Sequence, residues 1–302
     1  MTTDTQDTRP AAVTLAEHQP VIVRRSLVDR AWRELRRAPL SAWFGLIVIL
    51  LYILTAIFAP LIAPYSETEL VGGAYDPPSD QFWLGTDQLG RDLLSRLIYG
   101  ARNTIGIAFL TTMISFLLGG FLGLMAAVLG GWVDQMLGRI VDVLMAIPVL
   151  IFALVLLSIV GSGIVNMILI LSVLDSTRVF RLTRAVAMNV VVLDFVEAAK
   201  LQGEKIGWIM SREILPNILP PLVAEFGLRF CFVFLTISAL SFLGLGIQPP
   251  TADWGSAVRE NATLINYGEF TPLYGAACIA LLTVAVNFVV DWFLHKTSGL
   301  KE

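Results

Sequence analysis

The sequence from Ser41 to Ala63 reads SAWFGLIVILLYILTAIFAPLIA and holds no charged residue. A helix needs about 20 consecutive apolar residues to cross the hydrocarbon core of a bilayer, so this stretch predicts a transmembrane helix. The whole chain has the same character, since its mean hydropathy is +0.75 and only 15% of its 302 residues are charged. These values exclude an ordinary soluble enzyme, in which about 25% of residues are charged. The net charge of -3 likewise excludes a nucleic-acid binder, which would be basic.

Five further apolar blocks follow the first, and together they predict an all-α membrane protein with six transmembrane helices. The fourth block is the least apolar, because Asn166, Asp175 and Arg178 lie in it or at its end. A charged residue at the centre of a bilayer costs about 2.5 to 3.5 kcal/mol, so Asp175 and Arg178 are expected near an interface or facing protein. The five blocks are Thr104 to Leu129, Leu144 to Val160, Ile164 to Phe180, Pro220 to Ile247 and Pro272 to Leu294.

The distribution of basic residues predicts that both termini lie in the cytoplasm. Lys and Arg concentrate in the cytoplasmic flanks of transmembrane helices, because the insertion machinery retains them there. With the N-terminus inside, the outside segments hold only Arg91, Arg96, Arg102 and Arg259. The inside segments then hold Arg9, Arg24, Arg25, Arg30, Arg33, Arg36, Arg37, Arg139, Arg178, Arg181, Arg184, Lys200, Lys205, Arg212, Lys296 and Lys301. This imbalance predicts an N-in, C-in topology.

This topology divides the chain into four parts. Residues 1–40 are predicted to form a cytoplasmic tail, since their first twenty lack the basic start and apolar core of a cleavable signal peptide. Residues 41–103 would hold the first helix and an extracytoplasmic loop. Residues 104–295 would form a five-helix core that includes a cytoplasmic loop at 181–219, and residues 296–302 a cytoplasmic C-terminal tail.

The cytoplasmic loop 181–219 has a helical pattern that is interrupted at Gly203 and stopped at Pro216. Gly203 permits a positive φ at a turn, and Pro216 is expected to end the second helix before the chain re-enters the membrane. Such a short helix pair suits docking into the groove of a partner protein, although an ordinary connector between two membrane helices is the alternative. The pattern consists of Glu197-Ala198-Ala199, then Gly203, an apolar stretch with Ile206, Trp208 and Ile209, and finally Leu215-Pro216-Asn217.

The same loop resembles the EAA motif of binding-protein-dependent ABC transporter permeases, whose coupling helix contacts the ATPase subunits. Further stretches are similar to the dipeptide/oligopeptide/nickel branch of that family, and within it to the C-type subunit. They are WLGTDQLGRD from Trp83 to Asp92, SRLIYGAR from Ser95 to Arg102, LSFLGLG from Leu240 to Gly246, and Gln248-Pro249-Pro250 with Trp254-Gly255. Asp134, Arg139, Asp142 and Pro148 also match the loop before the third helix.

The resemblance implies a type I ABC importer permease fold and a permease subunit of an ATP-driven importer of di- and oligopeptides. It also implies several partners in a bacterial cytoplasmic (inner) membrane: a homologous B-type permease subunit, two ABC ATPase subunits, an extracytoplasmic solute-binding protein and membrane lipid. The ATPase subunits would bind ATP and Mg, so this chain would need no cofactor or metal of its own and would not be an enzyme. By the same resemblance, coupling would fall to Glu197, Ala198, Ala199, Gly203, Ile209, Leu215, Pro216 and Asn217.

Two pairs of residues in the predicted helices can be interpreted from their spacing alone. Glu225 precedes Arg229 by four residues, which is the favourable order for an ion pair on one helix face. Ionisable groups in membrane helices face the bundle interior or a water-filled path. The pair is therefore structural or a subunit contact, lines the translocation path, or lies at an interface. Gly119 and Gly123 have the small-xxx-small spacing that permits close helix packing.

The residues favour a transport protein over an enzyme. No Gly-Lys dipeptide occurs, so the chain lacks a GxxxxGK[ST] loop to bind nucleotide phosphates. Cys231 and Cys278 each lie alone in an apolar block and are interpreted as small packing residues. Three alternatives stay open: a permease of the same branch for a nickel chelate, an opine, glutathione or an oligosaccharide; a secondary transporter, which would need an inverted repeat; and a membrane-embedded enzyme, which would need paired catalytic groups.

Overall fold

Helices make up most of the described part of the chain. The structure is a computed structural model that describes residues 38–298, so the predicted tails at residues 1–40 and 296–302 lie mostly outside the described residues. The helices are α1 (Leu40–Ile62), α2 (Leu93–Leu129), α3 (Gly131–Met145), α4 (Val149–Val160), α5 (Ile164–Val191), α6 (Asp194–Leu201), α7 (Ile206–Phe242), α8 (Trp254–Asn261) and α9 (Thr271–Ser298). A 3-10 turn, Ala262–Tyr267, follows α8.

Four of the helices within residues 38–298 are long and apolar enough to cross a membrane: α1, α2, α7 and α9. Helices α3 and α4 would together make a fifth span, although they are bent by 85° at the break between them. Helix α5 corresponds to the fourth predicted block, but its charged residues Asp175, Arg178 and Arg181 keep it out of this set. The described structure is therefore that of a multi-pass, all-α membrane protein with four to five recognisable spans.

The predicted boundaries of two spans were wrong. Helix α2 begins at Leu93, eleven residues before the predicted Thr104, because Asp92 caps its first turn by accepting a hydrogen bond from the backbone N–H of Ser95 at 2.8 Å. The predicted single helix from Leu144 to Val160 is broken after Met145. Pro148 disfavours helical geometry in the residue before it, and α4 starts directly after this proline.

The prediction that Pro216 ends a helix was also wrong. The second helix of the loop that was predicted to be cytoplasmic is the start of α7 itself, which contains a π-helical turn at Ile209–Ile214 and continues to Phe242. Pro216 lies directly after that turn, in the first turn of the regular α-helical segment, where a missing N–H is tolerated. The predicted fifth block was therefore placed too late along the chain.

Helices α2 and α5 form the closest packed pair of the bundle and run parallel. The hydroxyls of Ser115 and Ser172 cross between them, donating to the carbonyls of Ser172 and Thr111 at 3.1 Å each. A Cβ on Gly119 would collide with the backbone of Ser176, and one on Gly123 would lie 2.7 Å from the carbonyl oxygen of Phe180. The interpretation of these two glycines as packing residues is confirmed.

Candidate functional site

Within the described residues, we consider three regions that are rich in polar side chains or in unusual backbone conformations. The first is the turn segment, residues 192–214, which lies where α5 ends and α7 begins. The second is the cap, residues 64–92 and 243–270, which lies at the opposite end of α7. The third is a group of charged residues halfway along α5 and α7.

The turn segment is anchored to the bundle by apolar side chains. Val196 and Ala199 of α6 are buried together with Ile209 and Ile214 of the π-helical turn. They pack in one cluster with residues near the ends of α2 and α5, including Leu124 and Ala187. A base held in this way moves with the helices to which it is packed.

The tip of the turn segment, residues 201–208, is by contrast exposed along its whole length. Gly203 at its centre has φ +81°, as the sequence predicted, and no atom lies within 4 Å of where its Cβ would be. Leu201 is 82% exposed, and Ile206 and Trp208 are also exposed. An anchored base with a protruding apolar tip is the geometry of a docking element.

The structure brings only part of the predicted coupling set to this tip. Glu197 and Ala198 are exposed on α6, while Ala199 and Ile209 are buried beneath them. The Leu215-Pro216-Asn217 motif lies further along α7, about 9 Å beyond Ile209 at 1.5 Å per residue. There the Asn217 side-chain amide donates to the carbonyl of Glu213 at 2.6 Å.

The predicted pair of Glu225 and Arg229 is confirmed, with Arg229 Nε 2.7 Å from Glu225 Oε1. Asp175 of α5 also approaches this arginine, at 3.8 Å between Oδ1 and NH1. The guanidinium groups of Arg229 and Arg178 lie 4.5 and 5.9 Å from the centre of the Phe232 ring. We call Asp175, Arg178, Glu225 and Arg229 the mid-helix cluster. Sequence spacing could not reveal that Asp175 joins the pair, because it comes from another helix.

A second cluster with the same composition lies in the cap and at the start of α2. Arg91 contacts Asp87 at 2.7 Å and Glu260 at 3.1 Å, and Arg96 contacts the same two carboxylates at 3.2 and 3.3 Å. All four side chains are at most 4% exposed. We call these residues the cap cluster. The sequence analysis counted Arg91 and Arg96 among the outside charges and quoted them within the stretches that carry the resemblance, but it did not single out Glu260.

The first half of the cap is shaped by special backbone positions. Gly85 and Gly90 both have positive φ, near +79° and +78°. They flank a β-bridge between Thr86 and Asp92 that folds the chain back on itself. This fold presents Asp87 to both arginines, which explains why glycines stand on either side of it.

The second half of the cap seals the start of α2. Trp254 donates its indole N–H to the carbonyl of Leu97 at 2.9 Å, and Thr104 donates to Asp253 at 2.8 Å. Burial raises the pKa of the Asp253 carboxyl, while the hydrogen bonds from Ser256 and Thr104 act in the opposite direction. The Trp83 to Arg102 and Leu240 to Gly255 stretches that carried the resemblance therefore meet in one interface.

Comparisons with known proteins agree with this architecture. Residues 119–296 match the family described as binding-protein-dependent transport system inner membrane component. Residues 26–82 match the N-terminal transmembrane domain of oligopeptide transport permease C.

Full-length relatives give the same result. The chain is 34% identical over 263 residues to the dipeptide transport system permease protein DppC of Alkalihalophilus pseudofirmus, covering 86% of each chain. It is 34% identical over 279 residues to the di/tripeptide transport system permease protein DppC of Pseudomonas aeruginosa, covering 90% of this chain and 92% of the relative. It is 32% identical over 264 residues to the glutathione transport system permease protein GsiD of Pectobacterium atrosepticum, covering 86% of this chain and 87% of the relative.

Proposed function

The chain belongs to the family of binding-protein-dependent transport system inner membrane components, and from this premise we propose that it forms one half of a path for di- and oligopeptides. As a permease subunit of an ABC importer, it works in a complex with other subunits. The specific partners that we propose are a homologous B-type permease subunit, two ATPase subunits, a solute-binding protein and the surrounding lipid. The peptide substrate rests on the names of two of the relatives.

We place the protein in the bacterial cytoplasmic (inner) membrane with six crossings and both termini inside. The order of helices supports this, since α1, the α3–α4 pair and α7 would run outward while α2, α5 and α9 run back. Helix α5 would make the remaining crossing. Its Asp175 would face Arg229 of α7 and not the lipid. The turn segment then lies in the cytoplasm and the cap faces the solute-binding protein.

The observation that carries the coupling role is the anchored base and exposed tip of the turn segment. Leu201, Ile206 and Trp208 offer an apolar surface that we assign to a groove of an ATPase subunit. Because Val196, Ala199 and Ile209 pack against the ends of α2 and α5, a push on the tip is transmitted to those two helices. ATP and Mg would bind to the ATPase subunits, and this chain would carry out no covalent chemistry.

Substitution of Gly203 tests this role. Gly203→Val forces a β-branched residue into a positive-φ turn that has ample space, so backbone strain acts without local crowding. We expect peptide uptake to fall by at least about tenfold, which corresponds to roughly 1.4 kcal/mol. Stimulation of the ATPase by loaded binding protein should be lost, while subunit abundance in the membrane stays near wild type.

The matched control is Gly203→Asn, because asparagine tolerates the left-handed conformation better than valine. It should retain most of the uptake and of the ATPase stimulation. Normal uptake and normal stimulation in Gly203→Val would make this segment an ordinary connector and refute the coupling role.

Glutathione is a second candidate substrate, because one relative is a glutathione permease. Other solutes of the same branch, such as a nickel chelate, an opine or an oligosaccharide, have no such observation in their favour. The ligand carried by the solute-binding protein that copurifies with the complex decides between the candidates. A bound peptide other than glutathione supports the first proposal, and bound glutathione supports the second.

A further inference from the structure

Arg178 is exposed at a depth where an arginine cannot face lipid without a large penalty. It lies 14 residues after the start of α5, which is about 20 Å along the helix. Arg229 lies at a similar depth, 13 residues before the end of α7. A lipid-facing arginine at the bilayer centre costs at least about 2.5 to 3.5 kcal/mol, so Arg178 must face water or protein. In a two-subunit permease, that position is the path or its wall.

Arg178 borders a cavity of about 140 Å³ between α4, α5 and α7. The lining combines apolar and polar side chains, and the cavity is small enough to hold one end of a solute. Its lining consists of Val149, Leu171, Asp175, Arg178, Phe232, Val233 and Thr236.

Asp175 lines this cavity, but one of its carboxylate oxygens is sealed inside the protein. The residue is only 8% exposed, and its Oδ1 faces Arg229 at 3.8 Å. Its Oδ2 is buried and accepts no hydrogen bond from the described residues. Because Oδ2 has almost no accessible surface, a ligand in the cavity would contact other atoms of Asp175.

The two arginines of the mid-helix cluster have different surroundings. Arg229 lies against Glu225 at 2.7 Å and is stacked on Phe232, so its charge is compensated within the chain. Arg178 forms no ion pair within 4 Å with any residue in the range 38–298; its guanidinium lies over the Phe232 ring, and its charge acts on Asp175 at longer range. Arg178 is therefore the cation that remains available to a ligand.

We propose that the cavity bounded by Arg178 and Asp175 is a transient binding site for the carboxyl-terminal residue of a transported peptide. The Arg178 guanidinium binds the carboxylate, and the cavity beside it receives the side chain of the terminal residue. Arg is suited to carboxylates because its donors match both oxygens. This inference rests on the proposed function.

The experiment uses the complete importer, reconstituted in liposomes with its solute-binding protein. Initial uptake rates are measured for trialanine and for trialanine amide, which lacks the terminal carboxylate. Each peptide is supplied at a concentration that saturates the binding protein, so that differences in loading do not contribute. The ratio of the two rates reports recognition inside the membrane.

We expect the wild-type complex to import the free acid about tenfold faster than the amide, the size of one charge-assisted interaction of about 1.4 kcal/mol. Arg178→Gln should bring this ratio to within about twofold of unity, and Arg178→Lys should retain most of it. A ratio that is the same in Arg178→Gln as in wild type overturns the proposal.

Arg181→Gln is the matched control, because Arg181 lies one turn along α5, is also exposed and already pairs with Asp142 at 2.5 Å. Its ratio should equal that of wild type; an equal fall in Arg181→Gln and Arg178→Gln would refute a specific site. A wild-type complex that imports no peptide would instead show that the proposed substrate class is wrong.

Discussion

The cap cluster and the mid-helix cluster each contain two arginines and two carboxylates, yet they are built differently. In the cap, Arg91 and Arg96 both contact the same two carboxylates at 2.7 to 3.3 Å, and every side chain is at most 4% exposed. At mid-helix, one arginine serves both carboxylates, and one of its contacts is as long as 3.8 Å. Each cluster leaves one carboxylate oxygen without a hydrogen bond from the described residues, Oε1 of Glu260 in the cap and Oδ2 of Asp175 at mid-helix. The composition of a charge cluster therefore does not decide its role.

The difference follows from how many contacts each charge receives. A buried ion pair offsets its desolvation only when its geometry is good and its remaining groups are satisfied. The cap cluster meets the first part of this condition through two crossed pairs that tie the first loop to α8, although Oε1 of Glu260 accepts no hydrogen bond from the described residues. The mid-helix cluster has a longer contact and leaves Arg178 without an ion pair in the described chain. We interpret the cap cluster as a structural element that holds the cap together, and the mid-helix cluster as a site that can bind a ligand.

The largest effect is expected in the cap cluster. Arg96→Met removes one of two arginines from a site where Asp87 and Glu260 are almost completely buried, leaving excess negative charge there. Breaking a buried pair in this way costs about 3 to 5 kcal/mol. We expect a clear loss of thermal stability of the purified protein, followed by tryptophan fluorescence, and lower abundance in the membrane.

Arg181→Met provides the comparison, because its pair with Asp142 is more than half exposed. An exposed pair contributes less than about 1 kcal/mol. If Arg96→Met and Arg181→Met lose the same thermal stability, the cap cluster does not stabilise the fold in the way that we infer.

A smaller effect is expected at mid-helix. Arg229→Ala leaves Asp175 and Glu225 without their shared cation, at a cost of about 1 to 3 kcal/mol, since both carboxylates keep some exposure. Combining it with Glu225→Ala should recover part of the abundance. Adding Asp175→Ala should recover more, because no lone carboxylate then remains. Immunoblots of membranes measure the series, and equal abundance of all variants would contradict a structural role for Arg229.

The two clusters also show how far the sequence could be read. Glu225 and Arg229 were predictable because helical spacing alone puts them on one face. The cap cluster was not, since Arg91 and Glu260 are 169 residues apart and only the tertiary fold joins them. Asp175 was expected to face protein, and it does, but its partner depends on how α5 packs against α7. A single sequence holds no such pairing information.

The turn segment also shows that local sequence signals predict some features correctly and others not. The positive φ at Gly203 followed from residue chemistry and is confirmed. The prediction at Pro216 was wrong, because a π-helical turn upstream let α7 absorb the proline in its first regular turn. From local sequence alone, a proline is expected to mark a helix boundary. Here the apolar packing of Ile209, Ile214 and Ile218 favours a continuous helix.

The smallest effect on stability is expected from substitutions that test which side of the membrane each region faces. Leu70 in the cap and Leu201 at the tip are both exposed, so Leu70→Cys and Leu201→Cys should change stability by no more than about 0.5 kcal/mol. Both are made in a chain in which Cys231 and Cys278 are replaced by alanine.

With the cap outside, an impermeant maleimide should label Leu70→Cys in intact spheroplasts and leave Leu201→Cys unlabelled. In inverted vesicles the labelling should reverse. If an ATPase subunit docks on the tip as we propose, washing off peripheral subunits should increase labelling of Leu201→Cys. Labelling of Leu201→Cys in intact spheroplasts would invert the topology, and the cap cluster could then not support a solute-binding protein.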